Sequence, residues 1–424
     1  MIRAALLVTL LAFGQWPQFR GPDGNGVSTA TGLPVTWSET QNVRWKTPIH
    51  GRAWSSPVVL GRQVWLTTAT PDGKELFALA VDKDSGKILH DLKLFDVATP
   101  QFAHSFNTYA SPTPVDRAGT RLRDVRLARH RRDRHRDRQG HLGAARSRSA
   151  ITSAAPAPRR SSSATCCSMH FDGSDVQYVV ALDKRTGKTV WKTDRSVDFQ
   201  DIQPNGKPKA DGDFRKAFAT PQIVMAGDRP VMVSLGSMAA YGYDPLTGKE
   251  LWRVVERGNF SMSTRPVAGN GLVYYPTGFN TAQIFAVRPD GSGDVTSTHV
   301  AWKAPRGAPN KPSILLLDGL LYMVNDGGIV TCIDAVKGDE VWRGTADRQL
   351  LGVADCAPRA DLLLQRRRQG DGDRGRPRVQ GPRREHARRR VHGVAGCRRP
   401  GALPADEVAP LPDRERCPVD RAAR

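Results

Sequence analysis

The residue types that most often carry chemistry fall in two unlike settings. Cys166 and Cys167 are adjacent, and His130, His135, His141, His386 and His392 stand among arginines. Five of the six cysteines, at 166, 167, 356, 397 and 417, lie in or beside Arg-rich stretches that show no alternation of apolar and polar residues. Neither a disulfide framework nor a zinc spacing is read from such a distribution. Cys332 lies in a regular apolar stretch and reads as a small core residue. The carboxylates Asp82, Asp183, Asp244 and Asp334 behave differently, because each is followed four residues later by glycine: Gly86, Gly187, Gly248 and Gly338. An Asp that bonds its own backbone and a Gly that supplies positive φ close a turn, so these are turn residues rather than a catalytic set.

The element that carries each turn is a hairpin. In Tyr178 to Trp191 a β-branched apolar run enters the Asp183 to Gly187 turn and leaves it as a short strand ending in tryptophan. The eight-residue interval from Asp to Trp recurs at Asp244 to Trp252 and Asp334 to Trp342, and at Asp82 to His90 with histidine in the tryptophan place. A looser copy runs from Asp290 to Trp302, with four extra residues in its turn. A second hairpin precedes each, as in Pro266 to Tyr275 and Pro312 to Met323. Two hairpins per period of 40 to 60 residues make a four-stranded unit that buries its apolar face only against neighbours. The expected fold class is all-β, a β-propeller of four-stranded blades.

The pattern Ala-x-Asp-x-x-Thr-Gly-Lys-x-x-Trp, fullest at Ala181 to Trp191, resembles the repeat of the pyrroloquinoline-quinone (PQQ)-type propellers. These comprise the quinoprotein alcohol dehydrogenases and their cofactor-free relatives. The resemblance covers residues 45 to 350 and implies eight blades, with Trp45, Trp191, Trp252, Trp302 and Trp342 docking between adjacent blades. It also gives Cys166-Cys167 a possible meaning, since adjacent cysteines joined by a disulfide occur near the cofactor of quinoprotein dehydrogenases. The pair falls in an Arg-rich stretch, however, and reads as accidental.

At the N-terminus, Met1 to Arg3 and the apolar run to Phe13 are too short to span a bilayer and read as a secretory signal ending at Gly14. Residues 15–50 follow as a lead-in resembling that of secreted bacterial members of the family. Its Trp16 to Gly26 stretch is Pro- and Gly-rich, and Asn42 to Trp45 reads as the strand that completes the last blade. No cysteine precedes Cys166, so lipidation through an N-terminal cysteine is not expected.

The repeats of residues 51–351 are interrupted. The motif aspartates at 183, 244, 290 and 334 are 61, 46 and 44 residues apart, but Asp82 and Asp183 are separated by 101. Residues 117–165 carry 14 Arg, 3 acids and no Lys, and residues 352–424 carry 18 Arg, 10 acids and no Lys. Their net charges of +11 and +8 hold 19 of the chain's +21. Arginine without lysine does not suit a phosphate-binding arm and looks like a GC-rich gene translated out of frame. A one-nucleotide shift across Arg134 to Gly143 can be back-translated to Asp-Thr-Ala-Thr-Gly-Lys-Val-Ile-Trp, the missing motif at the missing place. The expectation is an eight-bladed ancestor in which blade 2 and blades 7 and 8 are degraded, with in-frame sequence resuming near Met169.

The expected function is that of a non-catalytic, exported propeller, periplasmic or extracellular, binding another envelope or secreted protein. One cofactor-free relative is the propeller lipoprotein of outer-membrane barrel assembly. No nucleic acid partner and no membrane span in the mature chain are expected, and no cofactor. The alternative is an alcohol or sugar dehydrogenase using PQQ and calcium, which needs hard oxygen ligands, an Asp base and an aromatic floor. Only His104, Asn107 and Tyr109 offer themselves near a blade's inner end. The polar segment Asp198 to Arg215 is the clearest surface insertion and the expected binding loop.

Overall fold

A computed structural model describes residues 15–34, 37–100, 103, 107–115, 150–154, 166–183 and 188–345. All of them belong to one compact unit, Met1–Arg374; the second unit, Gly375–Arg424, lies outside the described residues. Five sheets follow in chain order, antiparallel but for one short parallel pair; they are blade 1 and blades 3 to 6, the number 2 being kept for the repeat that the sequence spacing leads one to expect. Blade 1 holds β1 (Val58–Leu60), β2 (Gln63–Ala69), β3 (Glu75–Asp82) and β4 (Ile88–Asp96). Blade 3 holds β5 (Ala150–Ala154), β6 (Cys166–Asp172), β7 (Gln177–Asp183) and β8 (Thr189–Asp194). Blade 4 has β9 (Gln222–Ala226), β10 (Arg229–Gly236), β11 (Ala239–Tyr243) and β12 (Glu250–Val255). Blade 5 has β13 (Val267–Gly269), β14 (Leu272–Pro276), β15 (Ile284–Val287) and β17 (Val300–Ala304), and the short β16 (Gly293–Asp294) between its last two strands joins the sheet of blade 4. Blade 6 has β18 (Leu315–Leu317), β19 (Leu320–Val324), β20 (Ile329–Asp334) and β21 (Glu340–Thr345). This is the all-β, four-stranded-blade architecture of a β-propeller.

From blade 3 to blade 6 the largest core clusters lie between blades, while smaller ones sit on blade 1 alone (Val58, Trp65, Ala78 and Ala80) and on blade 3 alone (Met169, Tyr178 and Val180). Val179, Ala181 and Trp191 of blade 3 pack with Met232, Tyr241 and Tyr243 of blade 4. On the opposite face of blade 4, Val233, Trp252 and Val254 meet Val273, Tyr275 and Phe285 of blade 5. Tyr274 and Ile284 then meet Leu321, Met323 and Ile333 of blade 6. Period-2 alternation thus supplies both faces of blades 4 and 5, each face packing against a neighbouring blade.

Two differences from the sequence expectation are physical. Residues 117–165 show no strand period, yet β5 lies inside them and pairs with β6 from Ala150↔Phe171 to Ala154↔Cys167. Cys166 and Cys167, expected to be accidental, are the first residues of β6, pairing with Asp183 and Leu182 of β7. Neither is joined in a disulfide, and Cys166 is buried in the seam with blade 4. An established strand such as β7 offers a row of backbone partners, and a neighbour with modest β propensity is enough to use them. The second difference is β16. The extra residues after Asp290 do not merely widen a turn: Gly293 and Asp294 run parallel to Trp252 and Arg253, giving blade 4 a fifth strand from its neighbour.

Candidate interaction surface

The motif tryptophans define the seams. Trp45 Nε1 donates to Lys83 O at 2.9 Å, and a methyl on Gly86 would lie 2.6 Å from its ring. Trp191 donates to Pro245 O at 3.2 Å and lies against Gly248, while Trp302 donates to Ala335 O at 3.1 Å and lies against Gly338. Trp252 donates to Pro289 O at 2.8 Å. Each ring therefore seats on the motif turn of the following blade, with Trp45 seating on blade 1. Among the described residues no turn receives Trp342, which is half-buried. The receiving turns are closed by their aspartates: Asp82 Oδ1 accepts Ser85 N at 2.9 Å, Asp244 Oδ1 accepts Leu246 N at 2.8 Å, and Asp334 Oδ1 accepts Lys337 N at 2.8 Å. Hydrogen bonds to Ser85 hold the Asp82 carboxyl below its ordinary value. Gly86, Gly248 and Gly338 have φ of +74°, +74° and +80°, where a side chain is strained and would also strike the docked ring. Asp183 N donates to Lys188 O at 2.8 Å, as its equivalents do; Gly187 lies outside the described residues.

The opposite face carries the connections between blades, and these are laced together. Ala217 N donates to Asp172 O, Phe218 N to Met262 O and Ser263 Oγ to Asn310 O. The expected binding loop lies here as an ordered structure, including a 3-10 segment Lys209–Arg215. Arg215 pairs with Asp201 and stacks over Phe199, and that pairing holds the Asp201 carboxyl low. Gly212 is pressed against Ser174 O, where no side chain fits. Next to this loop Phe214, Phe260 and Phe279 form a row with ring centroids 4.7 and 5.6 Å apart. Phe279 is 51% exposed and Ile202, at the loop's tip, 62% exposed. Six of the ten non-glycine residues with positive φ among the described residues are on this face: Gln200, Ala210, Asp211, Met238, Ser261 and Asn280. By contrast Asn270 and Asp318 open two-residue hairpin turns, where such values are ordinary.

Comparison with known proteins assigns the repeat. Residues 168–310 match the model of the family described as outer membrane protein assembly factor BamB. Residues 168–310 thus carry repeats like those that this model describes. No curated protein matches the sequence. Among solved structures, BamB from Moraxella catarrhalis is similar at 13% identity over 68% of this chain and 62% of that one, with a TM-score of 0.33. A europium-containing methanol dehydrogenase is similar at 15% identity over 78% and 58%, with a TM-score of 0.38. The quinohemoprotein alcohol dehydrogenase from Comamonas testosteroni is similar at 12% identity over 70% and 53%, with a TM-score of 0.37. The chain spans between about half and two thirds of the length of each.

Within the PQQ-like repeats one buried polar constellation was not legible beforehand. Asp172 at the end of β6 takes both Arg195 Nε at 2.9 Å and Nη2 at 2.7 Å. Arg195 Nη1 donates to Ser234 Oγ at 2.7 Å, and Ser234 Oγ lies 2.9 Å from His170 Nε2. Serine, histidine and aspartate in that order resemble a nucleophilic triad. The arrangement cannot act as one. His170 Nδ1 is 3.9 Å from Asp172 Oδ2, the carboxylate is committed to Arg195, and all these side chains are buried. Burial and the Arg195 charge hold the His170 imidazole well below its ordinary value, which favours the neutral ring. Its part is to fill the seam between blades 3 and 4.

Calcium and a quinone would need a clustered set of hard ligands. Among the described residues no three His, Cys, Asp or Glu side chains come together. Asn107 Oδ1 accepts Thr108 N at 2.8 Å and Ser111 Oγ at 2.5 Å, and the Tyr109 ring covers Gly73. Asn107 thus serves its own local turn. His104, and the histidines at 130, 135, 141, 386 and 392, lie outside the described residues, as do Cys356, Cys397 and Cys417. No helix among the described residues is long and apolar enough to cross a membrane.

Proposed function

We propose that this chain is an exported, non-catalytic PQQ-like propeller that binds another envelope or secreted protein through its connection face. The observation that carries the reading is the row Phe214, Phe260 and Phe279 beside the braced loop tip at Ile202. Exposed aromatic surface on a rigid loop loses little conformational entropy on binding, and strained backbone concentrates where a surface is used. Photo-crosslinkers at Phe279 and Ile202 are expected to capture a partner in envelope extracts, whereas one at Val336, 60% exposed on the motif-turn face, captures none. Equal capture at all three positions counts against the reading. Under the alternative, added PQQ and calcium confer dye-linked alcohol oxidation; the scaffold reading expects no activity.

We also infer that a blade belongs between blades 1 and 3 and has been lost to a change of reading frame. Ala110 O accepts Trp54 N and Ser55 N, and Thr113 Oγ1 accepts Ser56 N at 3.0 Å. The second contact repeats the one that Ser313 Oγ, ahead of blade 6, makes with Arg265 N, ahead of blade 5. Ala110 to Thr113 therefore stand where the lead into the next blade should stand. Resequencing the gene across these codons tests the inference.

A further inference from the structure

The lead-in Trp16 to Gly26 is bound along the inner edges of blades that are not neighbours. Trp16 pairs with Val59 of β1 through bonds of 2.9 and 2.8 Å, and Gln15 Oε1 accepts Gly61 N at 3.1 Å. Farther along, Asp23 O accepts Gln222 Nε2 of β9 at 2.9 Å. Arg265, just ahead of β13, donates through Nη1 to Phe19 O, through Nη2 to Gln18 Oε1 at 3.4 Å and through Nε to Gln222 Oε1 at 2.7 Å. Arg20 and Arg265 are both only 2% exposed.

This contact explains the glycines of Arg20-Gly-Pro-Asp-Gly-Asn-Gly26. A methyl on Gly24 would overlap the Arg265 guanidinium and lie 2.5 Å from Gln222 Oε1, and one on Gly26 would lie 2.7 Å from Arg20 Nη2. Both have positive φ, so the residue without a side chain meets two demands at once. A buried guanidinium is costly to leave without acceptors, and the lead-in supplies two of the three that Arg265 uses. Burial and the nearby Arg20 charge bring Arg265 down to about 9, which leaves it cationic at neutral pH.

We propose that residues 15–27 form a strap that clasps blade 1 to blades 4 and 5 along their inner edges, with Arg265 as its latch. The strap spans the place where the run of seated tryptophans is broken. It makes the lead-in part of the propeller rather than a linker ahead of it.

Hydrogen exchange tests the proposal, because the Val59 amide is held by Trp16 O and lies in a different blade from Arg265. Arg265→Met is expected to speed exchange at Val59 on the order of tenfold or more, while the amides of β20 keep their protection. A folded R265M chain in which Val59 exchanges as in the parent overturns the proposal. If R265M does not fold, Gln222→Ala, which removes the side chain shared by Arg265 and Asp23 O, is measured in the same way: faster exchange at Val59 supports the strap and an unchanged rate overturns it.

Discussion

The seams from blade 3 to blade 6 and the outer edge of blade 1 start from the same motif and end differently. Trp191, Trp252 and Trp302 each find a carbonyl and, in the following blade, a turn to lie on. His90 holds the same place in blade 1, but it is exposed and stacks instead on Trp65 of its own sheet, 5.8 Å away. Most of β4 is exposed along with it. The comparison teaches that the outer-strand residue is a plug for the next blade's turn. Its burial depends on that turn, and among the described residues none is offered to His90.

The sharpest way to break the contrast is to truncate both plugs. Trp252→Ala should cost about 3–5 kcal/mol in chemical denaturation, since the ring is fully buried against Gly242 and its indole hydrogen bond is lost as well. His90→Ala should change stability by less than about 0.5 kcal/mol. Nearly as large an effect is expected at the polar heart of the blade 3 to blade 4 seam. Asp172→Ala leaves Arg195 buried without its carboxylate and should cost about 3 kcal/mol, whereas changing the exposed Lys192–Asp194 pair should cost almost nothing.

Glu256, at the root of the connection face, sharpens the comparison through pH. Burial lifts its carboxyl from 4.5 to about 8, with Tyr275 donating to Oε1 at 3.0 Å. Between those values the folded chain keeps a proton that the unfolded chain has released, so stability should fall as pH rises, by about 1.4 kcal/mol per unit. The loss should be complete above about pH 8, and Glu256→Gln should remove this dependence in thermal melts across the window. The smallest effect expected is a gain that fails to appear. His90→Trp restores the motif residue without a turn to seat it and should stabilise by less than about 0.5 kcal/mol.

Much of the blade plan was legible because a hairpin is a local object. The Asp-to-Gly turns, the terminal tryptophans and the Asn270-Gly271 and Asp318-Gly319 hairpins are all written within a dozen residues. What could not be read depends on neighbours. Nothing near Gly293 signals a strand, since its only partners are Trp252 and Arg253 of another blade. Asp172, Arg195 and Ser234 come from three separate segments, and each alone looks like an ordinary polar residue. The aromatic row likewise joins the insertion, the β12–β13 connection and the β14–β15 loop. Asn42 to Trp45, expected as a strand, belongs to none of the five sheets, although Trp45 itself is seated on blade 1.

The most direct test of the interrupted propeller is to resequence the gene across codons 110–170. A single-nucleotide change of frame that restores an Asp-to-Trp motif near residue 134 is the result expected, and His90 then gains the turn it lacks. If the present reading frame stands throughout, blade 1 ends the run of seated plugs by design and the lost-blade account is wrong.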